Sequence, residues 1–191
     1  MRRIIIRFFI ILIVLVGFLG PVNAEDNRTL PLDLYLIIDG SAALQNSKND
    51  TIAWVNQQVV DRILTDGDKI TIWAAGDKTQ VIYSDTVSAA GKSGIKAKLG
   101  ALDTGGKTAD FSGALRGVNS SLSNTSRDRL AVTMLITGSA EILEPALAVN
   151  AQGLLRWFRS EKYERWQVLI VAPDIGKKVQ QAGAAYMSSL R

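Results

Sequence analysis

From residue 31 onward the chain alternates unbroken apolar runs with stretches in which apolar residues recur every three or four positions. The first run, Leu34-Tyr35-Leu36-Ile37-Ile38 between Pro31 and Gly40, lacks polar alternation and predicts a strand buried on both faces within a parallel sheet. Gln45–Asp50 is polar and turn-like. Ile52, Val55, Val59 and Ile63 then share one helical face, with Asn49 or Asp50 able to cap the start and Asp66-Gly67 stopping it. Lys69–Ala75 predicts a second strand and Thr79–Ser84 a third. The turn between them, Gly76-Asp77-Lys78, is too short for a crossover, so they form a hairpin and the third strand is antiparallel.

A short helix over Ile95–Leu102 comes next, delayed by Gly91 and Gly94. The glycine-rich stretch Asp103-Thr104-Gly105-Gly106-Lys107-Thr108-Ala109-Asp110 feeds a helix whose face is Phe111, Leu115, Val118 and Leu122. Arg129–Thr137 reads as a central strand, Pro145–Phe158 as a helix, Arg165–Ala172 as the last strand and Val179–Leu190 as an Ala-rich final helix. The four tryptophans, Trp54, Trp73, Trp157 and Trp166, all fall within these elements and are expected mostly in the core. Strands alternating with helices imply a Rossmann-like, doubly wound α/β domain with a mostly parallel sheet. The expected strand order is 3-2-1-4-5, with strand 3 antiparallel at the edge.

That order puts the end of the first strand at the switch point, where open α/β sheets hold their ligands. The strand ends in a carboxylate, Asp39, with the hydroxyl of Ser41 two residues later. Two readings stand: Asp39 belongs to a site, or it fixes the turn and caps the next helix.

Composition changes the picture at the N-terminus. Residues 1–24 combine Arg2-Arg3, an apolar run from Phe8 to Leu19 and the small-residue end Val22-Asn23-Ala24, the pattern of an export signal cleaved after Ala24. The run is shorter than the roughly 20 residues that span a bilayer. An uncleaved signal anchor is the alternative, and the only membrane association expected. Residues 25–31 form a leader and 32–191 one domain. Three of the 22 Lys and Arg lie in the signal, which has no acid, so 19 basic residues face 18 acidic ones in the remainder. No basic stripe is left to suggest nucleic acid. The absence of cysteine and histidine removes disulfides, thiol chemistry, imidazole bases and ordinary zinc sites. An exported chain of this kind suits a bacterial periplasm or cell envelope.

Two Gly-Lys pairs suggest a phosphate loop and fail its spacing. Gly91-Lys92-Ser93 needs glycine at 86, where Thr86 stands; Gly106-Lys107-Thr108 needs it at 101, where Ala101 stands. Neither comes directly after a buried strand.

Three separated segments do form a known pattern: Ile37-Ile38-Asp39-Gly40-Ser41-Ala42-Ala43, then Gly105-Gly106-Lys107-Thr108 before a helix, then Leu135-Ile136-Thr137-Gly138. Together they resemble the von Willebrand factor A domain over nearly all of residues 32–190. That resemblance implies the same strand order and a metal-ion-dependent adhesion site (MIDAS) built from Asp-x-Ser-x-Ser, a loop threonine and an aspartate after the central strand. Asp39, Ser41 and Thr108 match. Ala43 replaces the second serine, and Thr137-Gly138-Ser139 lacks the aspartate. Loss of a carboxylate weakens attraction for a divalent ion more than loss of a hydroxyl. Asp110 is a compensating ligand or, as its position before Phe111 favours, a helix N-cap. Asp77, Glu141 and Asp174 read as solvated loop carboxylates.

The function expected from these residues is a non-enzymatic protein-binding module, for adhesion or assembly, with a degenerate metal site and no required cofactor. Its partner is a protein docking on the loops Asp39–Leu44, Gly105–Asp110 and Gly138–Glu144, through Asp39, Ser41, Leu44, Lys107, Thr108, Ser139 and Glu141. The alternative keeps a weak Mg2+ on Asp39, Ser41, Thr108 and Asp110, completed by an acidic residue of the partner. A metal-assisted hydrolase is the third reading, without a nucleophile–base–orienter set to support it.

Overall fold

The computed structural model describes residues 28–126 and 128–139, and the backbone of 166–171. Strands β1 (Leu32–Asp39), β2 (Lys69–Ala75), β3 (Thr79–Thr86), β4 (Leu130–Ile136) and β5 (Trp166–Val171) make one sheet in the order β3-β2-β1-β4-β5. This is the predicted order. β1 lies parallel to β2 on one side and to β4 on the other, and β3 is antiparallel to β2 across its tight turn.

All of β1 is buried, as its uninterrupted apolar run requires. Its side chains alternate between two cores. Leu32, Leu34, Leu36 and Ile38 face the helices that come after β1 and the helix Lys92–Gly100, whereas Tyr35 and Ile37 face the helix Phe111–Leu122. Burial of each such Leu or Ile contributes roughly 1.5–3 kcal/mol, so slipping this strand by one residue is strongly disfavoured.

The segment after β1 departs from expectation. Gln45–Asp50 is largely helical rather than a turn: α1 spans Ala42–Gln45 and α2 Lys48–Trp54, each with a serine at its N-cap. The cap of α2 is Ser47, not Asn49 or Asp50. α2 runs into a π-helical segment, Val55–Asp61, in which the amides of Ile63 and Leu64 both donate to the Val59 carbonyl, at 3.1 and 3.0 Å. The wider turn moves the buried face by one residue. Leu64 is therefore 1% exposed, while Ile63, expected inside, is 39% exposed.

α3 (Lys92–Gly100) begins earlier than expected, because Gly94 sits in open space and interrupts nothing; Ile95, Leu99 and the nearby Leu102 are buried. α4 (Phe111–Leu122) covers the opposite face with the predicted Phe111, Leu115, Val118 and Leu122 buried, and Gly117 lets it approach the Trp73 indole. Trp73 is buried and Trp54 partly so, packed against the first core. The expected helices over 145–158 and 179–190, the signal over 1–24 and the Trp157 and Trp166 side chains lie outside the described residues.

The start of β1 is anchored by polar groups. The buried Asp68 carboxylate accepts from the amides of Leu32 and Thr65, both at 2.8 Å, and from Arg28 at 3.0 Å. Asp33 pairs with Arg129, whose guanidinium also donates to the Leu32 and Gly67 carbonyls. With that end fixed, the other end of β1 delivers Asp39 to the crest of the sheet.

Candidate functional site

Asp39 ends β1 and is 0% exposed. A carboxylate buried this deeply needs donors. Among the described residues it has three: Oδ1 accepts from the Ser41 amide at 2.8 Å, and Oδ2 accepts from the Thr137 hydroxyl at 2.9 Å and the Gly138 amide at 3.3 Å. Asp39 thus fixes its own turn, in keeping with one of the two readings of its sequence position. It also ties the loop after β1 to the loop after β4.

The glycine-rich loop joins the same crest through its backbone. Gly106 exchanges hydrogen bonds with the loop after β1, accepting from Ala42 at 2.9 Å and donating to the Gly40 carbonyl at 3.0 Å. The approach is so close that a Cβ on Gly106 would stand 2.9 Å from that carbonyl oxygen. Glycine is required there by space.

Thr108 stands at the same crest, but its polar groups point to Asp77. Asp77 Oδ1 accepts from the Thr108 amide at 2.9 Å, the Thr108 hydroxyl at 3.1 Å and the Lys107 amide at 2.8 Å. These donors, those of Thr108 foremost, hold the Asp77 carboxyl below its ordinary value. Sequence reasoning read Asp77 as a merely solvated acid. It is exposed, yet it organises the loop, and its only sequence signal was a place in the β2–β3 turn.

Asp110 is the N-cap of α4. Its carboxylate accepts from the Gly113 amide at 2.8 Å and lies 3.1 Å from the Thr79 hydroxyl. The cap reading therefore describes it, and none of its hydrogen bonds reaches Asp39, Ser41 or Thr108. Ser41 is buried and caps α1, its hydroxyl accepting from the Ala43 amide at 3.4 Å. Leu44, expected at the partner surface, is instead 1% exposed and part of the core. A lone leucine between polar and small residues anchors the short α1, and Ala42 and Ala43 take the exposed positions beside it. Lys107 is exposed. Ser139 is half-buried, its amide donating to the Thr137 hydroxyl oxygen at 3.3 Å. Glu141 lies outside the described residues.

A magnesium ion takes about six hard oxygens at ~2.1 Å. Among the described residues the crest does not fit one. Both Asp39 oxygens accept from protein donors, the Ser41 hydroxyl accepts from the Ala43 amide, and the Asp110 carboxylate caps a helix. Ala43 has no side-chain oxygen. Residue 138 has no carboxylate and no room for one: a Cβ there would collide with the Ala43 carbonyl oxygen and lie 2.8 Å from the Leu44 amide nitrogen. The backbone of residue 43 thus fills the space a side chain at 138 would need. No cluster of three metal-ligating acids, cysteines or histidines occurs among the described residues.

The chain is similar in structure to proximal thread matrix protein 1 from the mussel byssus, at TM-score 0.56 and 16% identity over 75% of this chain and 37% of that one. A second structure of that protein, with a zinc-occupied MIDAS motif, matches at TM-score 0.50 and 17% identity over 74% of this chain and 35% of that one. A von Willebrand factor type A structure from Catenulispora acidiphila matches at TM-score 0.52 and 14% identity over 75% and 33%. The matched regions are about a third of those chains' length. No family model matches this chain, and no curated protein matches its sequence. At these identities the likeness establishes the fold, which is von Willebrand factor A-like.

Proposed function

We propose that this von Willebrand factor A-like chain is an exported, non-enzymatic protein-binding module, for adhesion or assembly in a bacterial periplasm or cell envelope. Its metal site is degenerate, and no cofactor is required. The observation that carries this reading is the crest at the carboxyl ends of β1 and β4: three loops cross-tied into one surface, presenting Ala42, Ala43, Lys107 and Thr108 to solvent. A surface held this firmly suits docking of a folded partner, because little loop ordering is left to oppose binding. Export is supported by the basic, apolar and small-residue sequence of residues 1–24. Among the described residues no helix is long and apolar enough to cross a membrane. The alternative with a working magnesium site has less support at the crest among the described residues, where Asp39 already serves protein donors.

The test is a photo-crosslinking residue at Ala43 or Lys107, compared with one at exposed Lys98 of α3, in the chain expressed in its own cells. A discrete protein adduct formed from the crest positions and not from Lys98 is expected. Equal labelling from both faces, or adducts only from Lys98, would count against the crest as the docking surface.

A further inference from the structure

We propose that Asp77 is the positioning residue of the crest, performing toward the glycine-rich loop the joining role that a cation would otherwise serve. A cation held there would join the threonine oxygen to the end of the first strand. In this chain a single carboxylate oxygen on the β2–β3 turn gathers the loop, through the Lys107 amide, the Thr108 amide and the Thr108 hydroxyl at 2.8, 2.9 and 3.1 Å. Charge-assisted bonds of this kind are roughly twice as strong as neutral ones, and three converge on one atom.

The turn that carries Asp77 is itself well placed. The Gly40 amide donates to Ala75 at 2.8 Å, the Asp110 amide donates to Gly76 at 2.9 Å, and the Thr79 hydroxyl reaches the Asp110 carbonyl. The β2–β3 hairpin therefore holds the Asp110 end of the glycine-rich loop directly, and its Gly106 end through the turn after β1. Asp77 holds the middle, where Lys107 and Thr108 are exposed. Asp39 does the corresponding work between β1 and β4. Asp39 at the end of β1 and Asp77 on the β2–β3 turn thus tie the three loops through protein donors, and the amide and hydroxyl of Thr108 are committed to Asp77.

This deepens the docking reading and rests on it for its relevance to binding. Amide hydrogen exchange reads the loop itself, so a failed partner search leaves the role of Asp77 untouched. Exchange is measured on the full chain and on Asp77→Ala and Asp77→Asn, with and without magnesium. In Asp77→Ala, exchange at Lys107 and Thr108 is expected to accelerate about tenfold or more. Exchange at Ser41 and Gly138, which depend on Asp39, stays unchanged. Asp77→Asn keeps an acceptor oxygen and restores most of the protection. Magnesium alters none of these rates. Unchanged exchange at Lys107 and Thr108 in Asp77→Ala would overturn the proposal, as would recovery of protection on adding magnesium.

Discussion

Thr108 gives both its amide and its hydroxyl to Asp77 Oδ1, at 2.9 and 3.1 Å, across 31 residues of sequence. That bond pair decides which way the threonine of the glycine-rich loop faces. It makes a residue matching a metal-site pattern part of a loop clasp. At Asp39 protein donors meet the carboxylate oxygens themselves, and the two clasps lead to predictions at several points of the fold.

Gly138 lies in the segment, Thr137-Gly138-Ser139, that lacks the aspartate of the MIDAS pattern. Because the Ala43 carbonyl already fills the room of a Cβ there, Gly138→Asp is expected to destabilise the fold by about 1–3 kcal/mol, as overpacking does. Urea denaturation measures it. Magnesium is expected to recover none of the loss; a magnesium-dependent rise in the midpoint of this variant would show that the acid alone restores a site.

Asp39 is buried and serves three donors, so its removal strands groups that water cannot reach. Asp39→Ala should cost about 3 kcal/mol, the range for leaving buried polar groups unsatisfied. Asp39→Asn keeps an acceptor for some of these donors and should cost less. Equal stability of the alanine variant and the parent would mean that the Thr137 and Gly138 bonds do not hold the crest.

At the opposite end of β1, Asp68 is equally buried and accepts from two backbone amides and Arg28. Asp68→Ala is expected to lower stability by about 2–4 kcal/mol, mostly through the abandoned amides and the loss of the Arg28 ion pair. Thermal or urea unfolding checks this, and a change within experimental error contradicts the anchoring role.

Tyr35 supplies a pH dependence. Burial pushes its phenol above the ordinary value of 10.0, and the Thr125 hydroxyl at 2.7 Å offsets this only in part. The unfolded chain therefore loses the Tyr35 proton first as pH rises. The stabilisation is complete below about pH 10, declines as pH climbs toward the folded-state value, and is gone above it. Tyr35→Phe should show a shallower alkaline loss of stability than the parent. Identical slopes for the two proteins above pH 10 would contradict the burial of this phenol.

Much of the architecture was legible because a few local features admit one arrangement. An apolar run without alternation could only be a strand covered on both faces, and a three-residue turn could only make β3 antiparallel. The phase of the helix after β1 was not legible. Ile63 and Leu64 are both apolar, and only the π-helical turn at Val59 selects the second. Leu44 was misread as a surface residue because a lone leucine in a polar stretch carries no period. At the crest, Asp110 announced itself as a cap by standing just before Phe111. Asp77 gave no such signal, since its partners lie on a loop with which it shares neither period nor motif.

The most direct test of a crest set by protein donors is calorimetric titration of the full chain with magnesium, repeated on Asp39→Ala or, should that variant fail to fold, on Asp39→Asn. No saturable heat is predicted for the parent at millimolar magnesium, the range of weak oxygen sites. Saturable heat in the parent that disappears in the variant would contradict it.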